Sequence, residues 1–289
     1  MSDTIETLGF SQIQHGKENN RIYLMKYDTR DQAQIITQLE HLALKAGYTK
    51  ILAKIPQSVE ELFSKVGYRR EAKIPRYKNG REDHVFMGKY FDEQRAVCQE
   101  QALIGQVLSV AQSKSKSNSG LPSLPSGMQM RALSPSDAPA MADVYKQVFE
   151  TYPFPIHDPD YLIQKMGETI VYFGVFLAEQ LIALASSETD SSCLNSEMTD
   201  FATLEAYRGQ NLSLILLLRM EEEMRCKGFK TLYTIARAVD FGINATFAKA
   251  GYIFDGTLVN NTNISGKIES MNVWHKEIQT IPSGQIATP

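Results

Sequence analysis

The sequence predicts an α/β protein built on a mixed sheet and made of two related units. Strand-length apolar runs alternate with segments of helical period along the chain. Each half closes on two strand candidates joined through an Asn-bearing turn, as antiparallel partners on a mixed sheet are. A short motif also recurs in the same order in both halves.

In the first half, 21–27 reads as a strand, and 31–46 shows helical spacing through Ile35, Leu39, Leu42 and Ala46, ended by Gly47. A second strand at 49–55 stops at Pro56. Ser58 is placed to cap a short helix holding Val59, Leu62 and Phe63, with Glu61 at the reciprocal position. Strands at 68–74 and 84–90 then meet through Asn79-Gly80. Residues 91–111 carry helix formers, with apolar positions at Val97, Leu103, Ile104, Val107 and Leu108. The Ser-, Pro- and Gly-rich segment 113–127 has too few core-forming residues to pack and reads as a flexible linker.

The second half opens with a strand at 128–133 and a helix begun by Pro135-Ser-Asp-Ala138, with Met141, Val144, Tyr145 and Val148 on one side. A proline-stiffened loop, Thr151-Tyr-Pro-Phe-Pro-Ile-His-Asp-Pro159, leads to a short helix at 160–167. Strand candidates follow at 170–177, 181–187 and 197–204, then a helix at 212–227 and a strand at 231–236. A short helix near 240–249 precedes the last pair, 252–259 and 268–276. The expected division is a first unit at 1–92, a helix with linker at 93–127, a second unit at 128–280 and a tail at 281–289.

Composition narrows the function classes. The 289 residues are 43% hydrophobic, enough for two soluble domains. A formal charge of −3 gives no general pull toward nucleic acid or an anionic membrane, and no run approaches the ~20 apolar residues that span a bilayer. Cys98, Cys193 and Cys226 are far apart and odd in number, and the five histidines never fall at a metal-binding spacing. No metal cofactor is expected. Met1-Ser-Asp-Thr-Ile-Glu6 does not read as a signal peptide, so a cytoplasmic location is expected.

The most informative stretch joins the strand candidate ending at Leu204 to the helix beginning near Leu212. Arg208-Gly-Gln-Asn-Leu-Ser213 lies between them. A strand, a turn with Arg and Gly, and the first turn of a helix suit an anion, because free N–H groups and the positive helix end face it. A solvated loop arginine beside an ordinary turn glycine is the alternative. The flanks add the repeat: Lys45-Ala-Gly-Tyr-Thr-Lys-Ile51 resembles Cys226-Lys-Gly-Phe-Lys-Thr-Leu232, and Phe63-Ser-Lys-Val-Gly-Tyr68 matches Phe247-Ala-Lys-Ala-Gly-Tyr252. In the first copy the turn is Asp28-Thr-Arg-Asp-Gln-Ala33, without glycine. Its acids repel a pyrophosphate and can satisfy the helix N–H groups themselves. The first unit is expected to have lost the ligand.

These features resemble the GNAT superfamily of acetyl-CoA-dependent N-acetyltransferases, whose turn after the fourth strand usually reads Arg/Gln-x-x-Gly-x-Gly/Ala. Arg208 matches, whereas Asn211 and Ser213 replace the two small residues. Longer stretches resemble the beta-lysine N-acetyltransferase family: Met198-Thr-Asp-Phe-Ala-Thr203, Tyr233-Thr-Ile-Ala-Arg-Ala238, Asn244-Ala-Thr-Phe-Ala-Lys-Ala-Gly-Tyr252, Gly256-Thr-Leu-Val-Asn-Asn-Thr262 and Ile268-Glu-Ser-Met-Asn-Val-Trp-His-Lys276. Tyr152-Pro-Phe-Pro-Ile156, Ala53-Lys-Ile-Pro56 and Glu71-Ala-Lys-Ile-Pro75 do so too. The resemblance implies a GNAT fold preceded by a degenerate GNAT-like unit, and acetylation of the side-chain amine of (S)-beta-lysine to N6-acetyl-beta-lysine, a compatible solute. A lysine 2,3-aminomutase is the implied pathway partner, and a homodimer is an open expectation.

By the same resemblance, Phe201, Ala202 and Thr203 hold pantetheine, and Arg208, Gly209, Gln210, Asn211, Leu212 and Ser213 face pyrophosphate. Asn244 is a candidate near the cofactor arm. Asp200 is the first candidate base and Glu188 the competing carboxylate. Tyr252 is weighed as a general acid against a packing role, which its counterpart Tyr68 favours. A substrate with two ammonium groups and a carboxylate calls for acids and for an Arg, Tyr or amide; Tyr152, Asp158, Arg237, Asn260 and Asn261 are the candidates. Acetylation of another small amine, and acyl-CoA sensing without turnover, remain the rival readings.

Overall fold

The computed structural model describes residues 3–115, 122–264 and 266–279. In the first unit, β1 (Thr4–Leu8), β2 (Ser11–Gly16) and β3 (Arg21–Lys26) form an antiparallel meander. Helix α1 (Ile35–Ala46) crosses over to β4 (Lys50–Pro56), which lies parallel to β3. The short α2 (Glu60–Ser64) leads to the hairpin of β5 (Arg69–Lys78) and β6 (Glu82–Tyr90). Helices α3 (Glu93–Ala96) and α4 (Gln101–Ser115) connect the units.

The second unit contains β7 (Met128–Ala132), α5 (Ala138–Val148), α6 (Pro159–Glu168), β8 (Ile170–Leu177), β9 (Gln180–Asp190) and β10 (Asn195–Thr203). Helix α7 (Leu212–Cys226) crosses to β11 (Thr231–Arg237), followed by α8 (Phe241–Lys249), β12 (Ile253–Ile264) and β13 (Lys267–Glu277). All thirteen strands join one mixed sheet, in the order β1-β2-β3-β4-β6-β5-β12-β13-β11-β10-β9-β8-β7. Outward from the β5–β12 junction, both halves run through a hairpin, a parallel pair and an antiparallel meander.

Two strands were not anticipated. β1 and β2 are rich in Thr, Glu and Gln, so they lack an apolar alternation, and β1 is mostly exposed at the sheet edge. The capping role expected of Ser58 is absent: no side-chain hydrogen bond caps the turn at Gln57–Val59 or α2. The 31–46 helix starts later, at Ile35, because Asp31 is buried and accepts from the Ser11 N–H and hydroxyl, both at 2.7 Å. Asp28 instead caps the preceding turn through the Arg30 N–H. The helix expected in 91–111 is split, and α4 docks on α8 of the second unit. Residues 116–121 of the predicted linker and the 281–289 tail lie outside the described residues.

Helices cover one face of the first half-sheet and both faces of the second, where α5 and α6 pack on the side of β8–β10 opposite α7 and α8. Under α1 and α2, Ile22, Leu24, Ile51, Ala53 and Val85 form the first core. Under α7 and α8, Leu216, Met220, Phe247 and Trp274 centre the second. The uncovered face of the first half meets the second unit through Tyr23, Leu52, Phe86, Tyr77, Tyr233, Leu258 and Met271. No helix among the described residues is long and apolar enough to cross a membrane.

Candidate active site

Strands β10 and β11 run together only at their beginnings. Parallel pairing joins Asn195, Ser196 and Glu197 to Thr231, Leu232 and Tyr233 and then stops, while β10 stays with β9 and β11 with β13. The cause lies in β10. Thr199 faces Ser186 and Ala202 faces Leu184, so Asp200 and Phe201 share one opposite residue, Ala185. Such a bulge bends the strand. Asp200 takes φ +54° within it, a left-handed conformation that Asp tolerates better than most residues.

Beyond the divergence lies a cleft of about 610 Å³, walled by Thr199, Asp200, Phe201 and Thr203, by Thr234–Arg237 and by the turn into α7. Asn211 at φ +58° and Gly209 at φ +81° shape that turn. No side chain caps α7 and no acid stands in its first turn. The backbone N–H groups from Gly209 to Ser213 have no protein acceptor among the described residues. A Cβ added at Gly209 would meet nothing within 4 Å, so the space before the amides is open. Lys249 donates to Asn211 Oδ1 at 3.2 Å and Arg208 Nε to the Thr203 carbonyl at 3.3 Å, setting two cations at the rim. Free amides, a helix N-terminus and flanking cations fit the pyrophosphate of a CoA thioester.

A second, smaller pocket of about 200 Å³ lies behind the bulge, between the two units. Tyr152, Thr199, Asp200, Ile235, Ile264 and Met271 line both spaces. Glu188 and Glu197 stand opposite each other on β9 and β10 and both face the smaller pocket. Like charges directly opposite on a sheet are destabilising, so a cationic occupant would relieve them. Burial, then the neighbouring Glu188, pushes Glu197 up to about 8. Burial, then Asp200, raises Glu188. Burial also raises Asp200, against hydrogen bonds donated by the Tyr152 hydroxyl at 2.5 Å and the Ser186 hydroxyl at 2.7 Å.

The structure brings together Asp200, Glu188, Tyr152 and Asn261 in the smaller pocket. Phe201, Thr203, Arg208, Gly209, Asn211, Leu212 and Ser213 line the larger one, whereas Ala202 is buried in a core and Gln210 is exposed beside the cleft without lining it.

Five candidates are corrected. Tyr252 lines neither space; it is 4% exposed, packed edge-on to Phe247 at 4.9 Å, with Glu221 as its charged neighbour. Asn244 is fully buried and its amide is spent on the Arg237 and Asp240 carbonyls, Asn272 and Trp274. Asp158 caps α6 outside both pockets. Arg237 lines the larger cleft, but a bidentate pair with buried Glu269 at 2.7 and 2.8 Å occupies its charge. Asn260 donates to the Arg95 and Val97 carbonyls and lines neither space. Glu197, Lys54, Tyr23, Tyr77 and Tyr233 line the acceptor side and were missed. Lys54 and Tyr233 lie in motifs already singled out, so a signal existed, but nothing local tied the first unit to the second unit's pocket.

A splayed strand pair, a helix N-terminus open to phosphate and a carboxylate at the junction with a small pocket define an acetyl-CoA-dependent N-acetyltransferase of the GNAT type. No family model matches the chain. It is 36% identical over 264 residues to the beta-lysine N(6)-acetyltransferase of Methanococcus maripaludis, covering 91% of this chain and 95% of that one. It is 32% identical over 260 residues to the enzyme of the same name from Methanosarcina mazei, covering 83% and 96%. The N-acetyltransferase YodP of Bacillus subtilis is 29% identical over 283 residues, covering 96% and 100%. The chain belongs to the beta-lysine N-acetyltransferase family. Among the described residues, no group of three or more His, Cys, Asp or Glu is arranged to hold a metal ion.

Proposed function

We propose that this enzyme transfers the acetyl group of acetyl-CoA to the terminal amine of (S)-beta-lysine, giving N6-acetyl-beta-lysine. One observation carries the reading: Asp200 stands in the walls of both spaces, with Glu188 and Glu197 further into the smaller one. An amine at Asp200 meets a base on one side and the thioester cleft on the other, while a second ammonium finds carboxylates. The activity named for the two archaeal relatives supports the same substrate.

When bound, acetyl-CoA supplies an activated acetyl thioester, held through its phosphates by the amides of Gly209–Ser213. Asp200 removes a proton from the ammonium, and its raised pKa brings it nearer that task than an ordinary aspartate. Tyr152 and Ser186 hold the carboxylate in orientation. Past Glu197, the edge of β10 no longer pairs with β11, and N–H groups released along it would serve as donors for charge on a carbonyl oxygen. A lysine 2,3-aminomutase is the proposed source of the substrate, and osmotic protection the proposed use of the product.

Incubation with acetyl-CoA and a panel of beta-lysine, lysine and 1,4-diaminopentane, read by mass spectrometry and initial rates, tests this. Beta-lysine should give the highest kcat/KM and a single acetyl on N6. Faster turnover of the diamine would overturn the substrate assignment, and CoA binding without turnover of any amine would overturn the enzyme.

A further inference from the structure

The face that the first unit turns toward the acceptor pocket follows a two-residue period. Arg21, Tyr23 and Met25 on β3, Lys54 on β4 and Gln14 on β2 line the pocket, while Ile22, Leu24, Ala53 and Ile55 enter the first unit's own core. A face used only for packing would be apolar at these positions. Instead it carries donors. Lys54 forms no carboxylate ion pair among the described residues. Its Nζ lies 3.5 Å from the Tyr233 hydroxyl and over the rings of Tyr77 at 5.2 Å, Tyr233 at 5.6 Å and Tyr23 at 6.0 Å. Arg21 and Gln14 are 4% and 2% exposed, and Arg21 Nε and Gln14 Nε2 have no acceptor. Buried donors left unmet are costly unless a ligand supplies the acceptor.

The pocket is therefore polarised between the units: Arg21, Lys26 and Lys54 come from the first, and the carboxylates Glu188, Asp190, Glu197 and Asp200 come from the second, with Lys165 as the second unit's one cation there. We propose that the first unit is the carboxylate-binding half of the acceptor site, with Lys54 pairing with the acceptor's carboxylate and Arg21 and Gln14 supplying further donors. The proposal rests on the amino-acid acceptor argued above. Glu197 and Thr199, two residues apart on β10, are separated by ~6.6 Å. The five-bond path between the two nitrogens of beta-lysine spans ~6 Å when extended. A reacting amine at Asp200 thus leaves the second ammonium beside Glu197 and Glu188, and the carboxylate, two bonds further on, reaches the first unit.

The test compares amine pairs that differ only in the carboxylate: beta-lysine with 1,4-diaminopentane, and lysine with 1,5-diaminopentane. In wild type the carboxylate-bearing member should win in the better pair. Lys54→Met should raise the KM of that member on the order of 10²-fold, with kcat and the KM of acetyl-CoA little changed, so that discrimination within the pair collapses toward equality. Equal losses for both members would mark Lys54 as structural and overturn the proposal, as would unchanged discrimination. If lysine proves better than beta-lysine, the substrate assignment fails while Lys54 is still judged on the lysine pair. Should Lys54→Met not fold, thermal shifts of the wild type decide: the amino acid should raise Tm and its decarboxylated partner should not, and equal shifts would overturn the assignment.

Discussion

At the scale of single residues, the chemistry turns on Asp200. Strict alternation along β10 would send position 200 to the same side as Met198, into the core. The bulge and the φ of +54° instead carry its carboxylate to the side of Glu197 and Thr199. Replacing it should expose its role. Asp200→Asn should lower kcat by ~10²-fold with the KM of acetyl-CoA nearly unchanged. The wild-type rate should fall as pH drops through the raised pKa of Asp200, at a higher pH than an ordinary aspartate would give, and the Asn variant should lack that limb. An unaltered kcat would assign proton removal elsewhere, with Glu188 next. Asp200 was legible in the sequence because it lies within a recognisable motif. Glu197 was not: a lone carboxylate on a strand reads as solvated until its neighbour across the ladder proves to be Glu188.

At the scale of elements, the turn into α7 is the anion site, and its departures from the usual glycine pattern are absorbed locally. Asn211 adopts the left-handed conformation at the helix start where a glycine is common, and its side chain accepts from Lys249 rather than capping the helix amides. The amides stay free. Gly209→Ala would place a methyl in the open space before them and strain a φ of +81°. It should cost ~1 kcal/mol of stability and raise the KM of acetyl-CoA roughly tenfold, as measured by chemical melts and initial rates. A KM equal to that of wild type would mean that the phosphates bind elsewhere. Asn244 and Tyr252 show the limit of motif reading at this scale. Both sit in family-like segments, yet both are buried: Asn244 ties β13 to α8, and Tyr252, in the turn after α8, supports Phe247.

At the scale of the whole molecule, the junction of the units builds the acceptor pocket. Three residues of β12, Val259 to Asn261, bulge opposite Ser270. Their carbonyls accept from Lys50 at 2.7 Å, Arg95 at 2.7 Å and Arg21 at 2.7 Å, all from the first unit or its connecting helix. Lys50 is fully buried and paired with Glu71, which also takes the Tyr90 hydroxyl. Where β12 meets β5, Gly256 lies opposite Ala72. A Cβ there would fall 2.1 Å from the Glu71 carbonyl oxygen and 2.8 Å from the Ala72 Cα, backbone atoms with nowhere to go. Gly256→Ala should therefore destabilise the protein by more than ~2 kcal/mol and raise the amine KM more than that of acetyl-CoA. A urea melt matching wild type, with unchanged amine KM, would deny the seam its part in the site.

The local elements, the anion turn and the repeat are readable along the chain, because each is written in residues close together: apolar periodicity, Gly209 before a helix, Phe-x-x-x-Gly-Tyr in both halves. Which polar residues share a pocket emerges with the folded sheet. That depends on a bulge one residue long and on a sheet that folds one unit's face over the other's, bringing Lys54 toward Glu197. Neither leaves a local pattern, since the contacts that reward them lie between residues far apart in the chain.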